Sequence, residues 1–189
     1  MTAGCLRDTR HVAATRSPFL TGALAWIGSG SIPDRCNACG FVWATDSTEA
    51  VDAIEAAPER YAALLEDHDG MVSAEDGGWN ATAYVWHLVD LARSWSERWV
   101  QLDHDPGSLL AGWDPDELAT ARNYRNLQTV PALWALNEAT ATFVQLSRRL
   151  DHNTRFQHGD WGPGTVGDGL RWLAHEYTHH QLDVEARAR

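Results

Sequence analysis

A chain of 189 residues is the length of one domain, or of one domain with a small appendage, which excludes a multidomain machine. Hydrophobic residues make up 44% and charged residues 22%, so the chain can bury a core and is not disordered throughout. Net charge is −11, and all 15 basic residues are arginine; these do not cluster, so there is no basic face to release counterions from a nucleic acid. Small molecules or metal cations are the expected partners, and nucleic acid is not.

At the N-terminus, Arg10 and Arg16 precede Phe19, Leu20, Leu24, Trp26 and Ile27, in the outline of a short signal peptide. The alternative is that residues 1–31 lie outside the folded unit, as a disordered or over-long start. No apolar run reaches the ~18 residues of a membrane span, so no membrane association is expected. Next, residues 32–46 hold Cys36-Asn37-Ala38-Cys39-Gly40, a Cys-x-x-Cys pair that reads as a metal knuckle, a redox dithiol or a remnant binding nothing. A structural zinc wants four ligands, and Cys5, His11, His68, His104, His152 and His158 are candidates to complete it. Three cysteines without a disulfide framework favour the cytoplasm. Phe41-Val42-Trp43 is a short hairpin edge at most.

From residue 47 to 186 the pattern is helical. A first helix starts at Ser47/Thr48 and carries Val51, Ile54, Tyr61, Leu64 and Leu65, with Pro58 expected to kink or split it. The second runs from Trp79 to Leu102, with Tyr84, His87, Leu88, Leu91, Trp95, Trp99 and Leu102 at three- and four-residue steps. A long crossover follows, in which Asp114 caps, Pro115 takes the first helical position and Glu117 completes a capping box for a short helix through Tyr124. The third long helix spans Val130 to Leu150. The fourth begins between Thr165 and Asp168, with Leu170, Leu173, Ala174, Tyr177 and Val184 on its apolar stripe. Trp79, Trp86, Trp95, Trp99, Trp134 and Trp172 fall on helices as packing residues, and Trp86 and Trp172 are also candidates to line a pocket. The expected class is all-α: a four-helix bundle with one long crossover and a small N-terminal appendage.

The last helix carries His175-Glu176-Tyr177-Thr178-His179-His180-Gln181-Leu182-Asp183. His175 and His179 are four apart, point the same way and can chelate one cation; His180 is excluded from that face. His87 sits on an inward face, where an imidazole needs a hydrogen bond or a metal, and with the pair it makes a three-histidine site. Asp90 and Asp183 follow ligand histidines by three and four residues, placed to orient the rings; the plain alternative is pairing with Arg93 or Arg187. Glu176 lies within a His-Glu-x-x-His spacing, which in zinc peptidases supplies the base, and is the candidate catalytic residue.

The Trp79-to-Asp90 segment, the Gly112-Trp113-Asp114-Pro115-Asp116 stretch and the final His175-to-Val184 motif resemble the DinB/YfiT-like family of metal-binding four-helix bundles, over residues 47–186. Cys36-Asn37-Ala38-Cys39-Gly40-Phe41 looks like the N-terminal knuckle of some actinobacterial members. The resemblance implies a divalent metal, zinc or nickel, held by His87, His175 and His179. It also implies thiol chemistry, as in mycothiol- or bacillithiol-dependent S-transferases and maleylpyruvate isomerases. Coordination deprotonates a thiol whose free pKa of ~8.5 leaves it a few per cent thiolate at neutral pH. The expected function is therefore metal-dependent S-transfer from a low-molecular-weight thiol cosubstrate to a small electrophile. The alternatives are a non-catalytic metal or ligand binder and a zinc hydrolase. A homodimer through a bundle face is compatible with the sequence.

Overall fold

The computed structural model describes residues 34–75 and 77–188, so the expectation for residues 1–31 lies outside it, as do Cys5 and His11. The helices are α1 (Ser47–Glu55), α2 (Ala57–Leu65), α3 (Ala81–His104), α4 (Pro115–Ala121), α5 (Thr129–Ser147) and α6 (Val166–Arg187). A 3-10 turn over Tyr124–Asn126 follows α4. Local chemistry sets the ends. Asp46 caps α1, with its carboxylate accepting from the Thr48 amide at 2.7 Å, and Asn80 caps α3 by accepting from Ala83 at 2.8 Å. Asp114 caps α4, accepting from the amides of Asp116 and Glu117. Thr165 and Asp168 form a reciprocal capping box at the start of α6. Pro58 splits the first helix, since it lacks the N–H that a continuous helix would need and is tolerated in the first turn of α2.

The bundle is built from the broken α1/α2, α3, α5 and α6, with α3 packed along α5 and α6 closing against α1 and α3. Every apolar position expected on α3 is buried: Tyr84, Leu88, Leu91, Trp95, Trp99 and Leu102. Two hydrogen-bonded links tie the core. The Tyr61 hydroxyl donates to the Tyr177 carbonyl at 2.6 Å while the Tyr177 hydroxyl meets Thr140 at 2.8 Å, and Trp99 Nε1 donates to Ser147 at 2.9 Å. These satisfy polar atoms that burial would otherwise leave costly. Trp134 departs from the packing expected of it, with 67% of its surface exposed. It lies one turn after Val130, 78% exposed, on a stripe of α5 turned away from Leu136, Thr140 and Phe143.

The architecture is not wholly helical. Strands β1 (Leu109–Leu110), β2 (Arg155–His158) and β3 (Gly162–Thr165) make a sheet in the order β1-β2-β3, parallel then antiparallel. The four residues of β2 alternate exposed and buried, too short a run to stand out beside the glycines and proline of β3. Phe156 and His158 point inward from β2; His158 stacks on Trp161 at 4.0 Å and lies parallel to Trp95 at 6.3 Å. The sheet thus walls the end of the bundle where α3 and α6 meet.

α6 packs against α3 through Gly169, where an added Cβ would lie 2.9 Å from the Trp99 ring and 3.0 Å from the Trp95 ring. Both rings are fully buried and cannot swing aside. Gly169→Ala is therefore expected to destabilise by about 1–3 kcal/mol despite alanine's better helix propensity, as a lower denaturant midpoint at unchanged slope.

Burial, and then the nearby Arg98 charge, push the His158 imidazole down to about 4. Between that value and the unfolded ~6.5 the unfolded chain binds more protons, so stability is lost as pH falls across this window. His158→Phe keeps an aromatic ring but no proton. Its stability, measured by urea unfolding at pH 7 and pH 4.5, is expected to fall less than that of the wild type, by up to about 3 kcal/mol.

Candidate metal centre

Helix α6 offers two chelating pairs. Residues four apart share a stripe and residues one apart lie ~100° around the helix, so His175/His179 occupy one stripe and Glu176/His180 the next. The second stripe faces the bundle: His180 is seven residues after Leu173, three after Tyr177 and four before Val184, all buried. There it meets His87 from α3. His87, Glu176 and His180 present ligand atoms all within 4.8 Å of one another, and Cys36, Cys39, His175 and His179 do so separately.

The expected grouping of His87 with His175 and His179 is therefore not the one formed. His87 clusters with Glu176 and His180, so the stripe that carries His180 is the one reaching it. Glu176, the candidate catalytic base, is itself a member of the His87–His180 cluster. The periodicity of the apolar stripe carried this signal, because His180 falls on it and His179 does not. His175 and His179 instead face the Cys-x-x-Cys turn. Of the residues expected to complete that turn, His152 bonds Ser47 at 2.7 Å, His158 is in the tryptophan stack, and His68 and His104 are exposed.

Glu176 is the hub of the first cluster. Its Oε2 lies 3.3 Å from His180 Nε2 and 3.7 Å from His87 Nε2, and its Oε1 lies 3.6 Å from His175 Nδ1. Exposure is 5% for His87 and 4% for His180, and 15% for the Glu176 side chain. Burial acts to raise the Glu176 carboxyl, but hydrogen bonds from His175, His180 and His87 hold it well below the usual carboxylate range. Burial likewise opposes charge on His180, yet Asp183 and Glu176 push it up to about 9, whereas burial dominates at His87 and lowers it.

Asp183 orients a ligand candidate, but it is His180 rather than His179: Asp183 Oδ2 lies 2.9 Å from His180 Nδ1, leaving Nε2 turned to Glu176. Asp90 does not hold His87. Its buried carboxylate accepts from Arg122 at 2.6 Å and from the Tyr124 hydroxyl, with Arg93 at 4.0 Å. It acts at one remove, since Tyr124 packs edge-on to Trp79, whose ring lies 5.2 Å from His87. Trp79, Trp113 and Tyr84 are the aromatic walls: Trp113 is 6.1 Å from His87 and Tyr84 5.1 Å from His180. Trp86 and Trp172, the tryptophans expected to line a pocket, are not in ring contact with either histidine of this cluster.

No family model matches the chain, and no curated protein matches it. A solved structure does: YfiT from Bacillus subtilis, described as a probable metal-dependent hydrolase with an unusual four-helix bundle topology. It superposes with a TM-score of 0.65 over 87% of this chain and 97% of its own, at 18% identity. The chain shares the YfiT fold. The resemblance read from the sequence is thus upheld at the level of architecture, with the small sheet as an addition.

The donor set fits a divalent cation. Two imidazoles and one ionised carboxylate converge, and one imidazole is fixed by a carboxylate behind it. Asp183→Asn is expected to weaken cation retention at this cluster by ~10–100-fold, read by competition with a chromophoric chelator.

Proposed function

We propose that the chain is a metal-dependent enzyme whose cation is held by His87, Glu176 and His180, and that it activates a low-molecular-weight thiol for transfer to a small electrophile. The observation that carries the reading is the convergence of these three side chains from α3 and α6, two buried and one partly buried, on one point. Three protein ligands leave a tetrahedral cation an open position, the arrangement of catalytic rather than structural sites. The bound cation would supply a Lewis-acidic position at which a thiol loses its proton.

The protein's own groups define the rest. Asp183 Oδ2 is placed to hold a proton on His180 Nδ1, so that a cation arriving at Nε2 would displace only the proton that faces Glu176. Glu176 brings one negative charge, leaving a divalent centre net positive and attractive to a thiolate. Trp79 and Trp113 exclude water around His87, which strengthens these charges. Thiol chemistry is favoured over hydrolysis because Glu176, the carboxylate a peptidase would use as base, belongs to the ligand set. A thiol bound to a cation needs no further base.

A hydrolase is the second reading, favoured by Asp116 and by the description of YfiT. Burial and the Asp114 charge raise the Asp116 carboxyl and His87 acts to lower it, which makes this first-turn residue of α4 the candidate base toward water in that reading. The zinc- or nickel-loaded full chain should conjugate thiols to a chromogenic electrophile, with Glu176→Gln and His180→Ala each lowering kcat/KM by about 100-fold or more. Equal turnover by metal-stripped protein overturns the proposal. Ester hydrolysis lost in Asp116→Asn, with no thiol conjugate from the wild type, selects the hydrolase.

A further inference from the structure

The second cluster lies outside this reading. The segment before α1 folds into a tight turn: Gly40 N donates to the Cys36 carbonyl and Cys36 N to the Phe41 carbonyl, each at 2.8 Å, and Arg35 bridges Val42. Gly40 has φ +74°, a left-handed conformation that glycine adopts without strain, and it lets the chain reverse directly after Cys39. The Cys36 and Cys39 thiols are free. The turn is seated on α6, with Phe41 and Trp43 at 5.6 and 4.6 Å from the His175 ring and Arg171 Nε donating to the Thr45 carbonyl at 2.8 Å.

The sulfurs come to rest opposite His175 and His179. Cys36 Sγ is 3.7 Å from His179 Nδ1, close to the ~3.5 Å sulfur-to-nitrogen edge that Zn–S and Zn–N bonds of 2.3 and 2.0–2.1 Å give at a tetrahedral angle. Both ring nitrogens of His175 are buried; Glu176 Oε1 approaches Nδ1 only to 3.6 Å and Nε2 has no hydrogen-bond partner, so a buried donor atom is left turned toward the sulfurs' side of the helix with room for a ligand role. Burial opposes ionisation of Cys36, but the amides of Cys39 and Ala38 and the rings of His175 and His179 bring it down to about 6, preparing a thiolate.

We propose that Cys36, Cys39, His175 and His179 hold a structural zinc ion, distinct from the triad centre, that fastens the N-terminal turn to α6. Two thiolates and two imidazoles are a complete tetrahedral set for zinc, with no position left open for substrate. One cation thereby joins residues 143 positions apart in sequence, Cys36 to His179. The site is independent of the proposed activity, although His175, through Glu176 Oε1 at 3.6 Å, stands between the two clusters.

The test is cobalt and zinc loading of the full chain, purified without an affinity tag. Wild type should take up two equivalents, matching the two clusters, and the cobalt form should show a near-ultraviolet thiolate-to-metal charge-transfer band with intense tetrahedral visible bands. The double variant Cys36→Ser, Cys39→Ser should lose the charge-transfer band and one equivalent. His87→Ala should lose the other equivalent and keep the band. Should the cysteine variant fail to fold, the wild-type spectrum still decides, together with zinc protection of Cys36 and Cys39 from alkylation mapped by peptide mass spectrometry. A cobalt-loaded wild type without the band, or a Cys36–Cys39 disulfide that persists in zinc-saturated protein, overturns the proposal. Retention of the band in His87→Ala with no thiol conjugation by the wild type would leave this site standing and remove the activity.

Discussion

A buried carboxylate must be compensated, and Glu176 is the one on which the arrangement of the helices depends. Desolvating its charge is affordable only because imidazoles from two helices stand around it: His180 and His175 from its own helix and His87 from α3. This fixes the rotation of α6 about its axis and its slide along α3 more sharply than apolar packing alone, which tolerates exchange of similar shapes. The rest of the core holds the same register by other means. Gly169 lets α6 ride against Trp95 and Trp99, and the Tyr61–Tyr177–Thr140 chain spans α2, α6 and α5 one residue beyond Glu176.

The helices were legible in the sequence through apolar periodicity and, for several of them, through their ends. Asp114-Pro115, Thr165 with Asp168, and the break at Pro58 all act locally, through hydrogen bonds made or forbidden within one turn. The sheet was not legible, because β1 has two residues and β3 reads Gly-Pro-Gly-Thr, with pairing set by tertiary partners. Trp134 shows the limit of composition, since a tryptophan on a helix is presumed to pack and this one is turned outward.

The site was half legible. That His87 and the histidine-rich end of α6 come together follows from inward position and spacing. How the ligand candidates divide does not follow from spacing alone, because His175-Glu176-x-x-His179-His180 contains two interleaved pairs and a four-residue rule selects both. Only the apolar stripe of Leu173, Tyr177 and Val184 shows which pair turns toward α3. The histidines that face Cys36 and Cys39 are hidden for the same reason: the four-residue spacing of His175 and His179 points equally well to a site shared with His87.

The two clusters also differ in the kind of site they make, and the difference follows from ligand count. The triad has three protein donors beneath aromatic walls, so a fourth position belongs to whatever enters. The proposed knuckle set has four donors from two segments distant in sequence, so the free energy of a cation bound there would go into folding. They meet at adjacent residues of one helix, where the His175 ring presents one nitrogen to a Glu176 oxygen while the other Glu176 oxygen faces His87 and His180. Any ordering of His175 by the N-terminal turn therefore narrows the rotamers open to Glu176. In that sense the turn before α1 is part of the wall that keeps the Glu176 carboxylate aimed at His87 and His180.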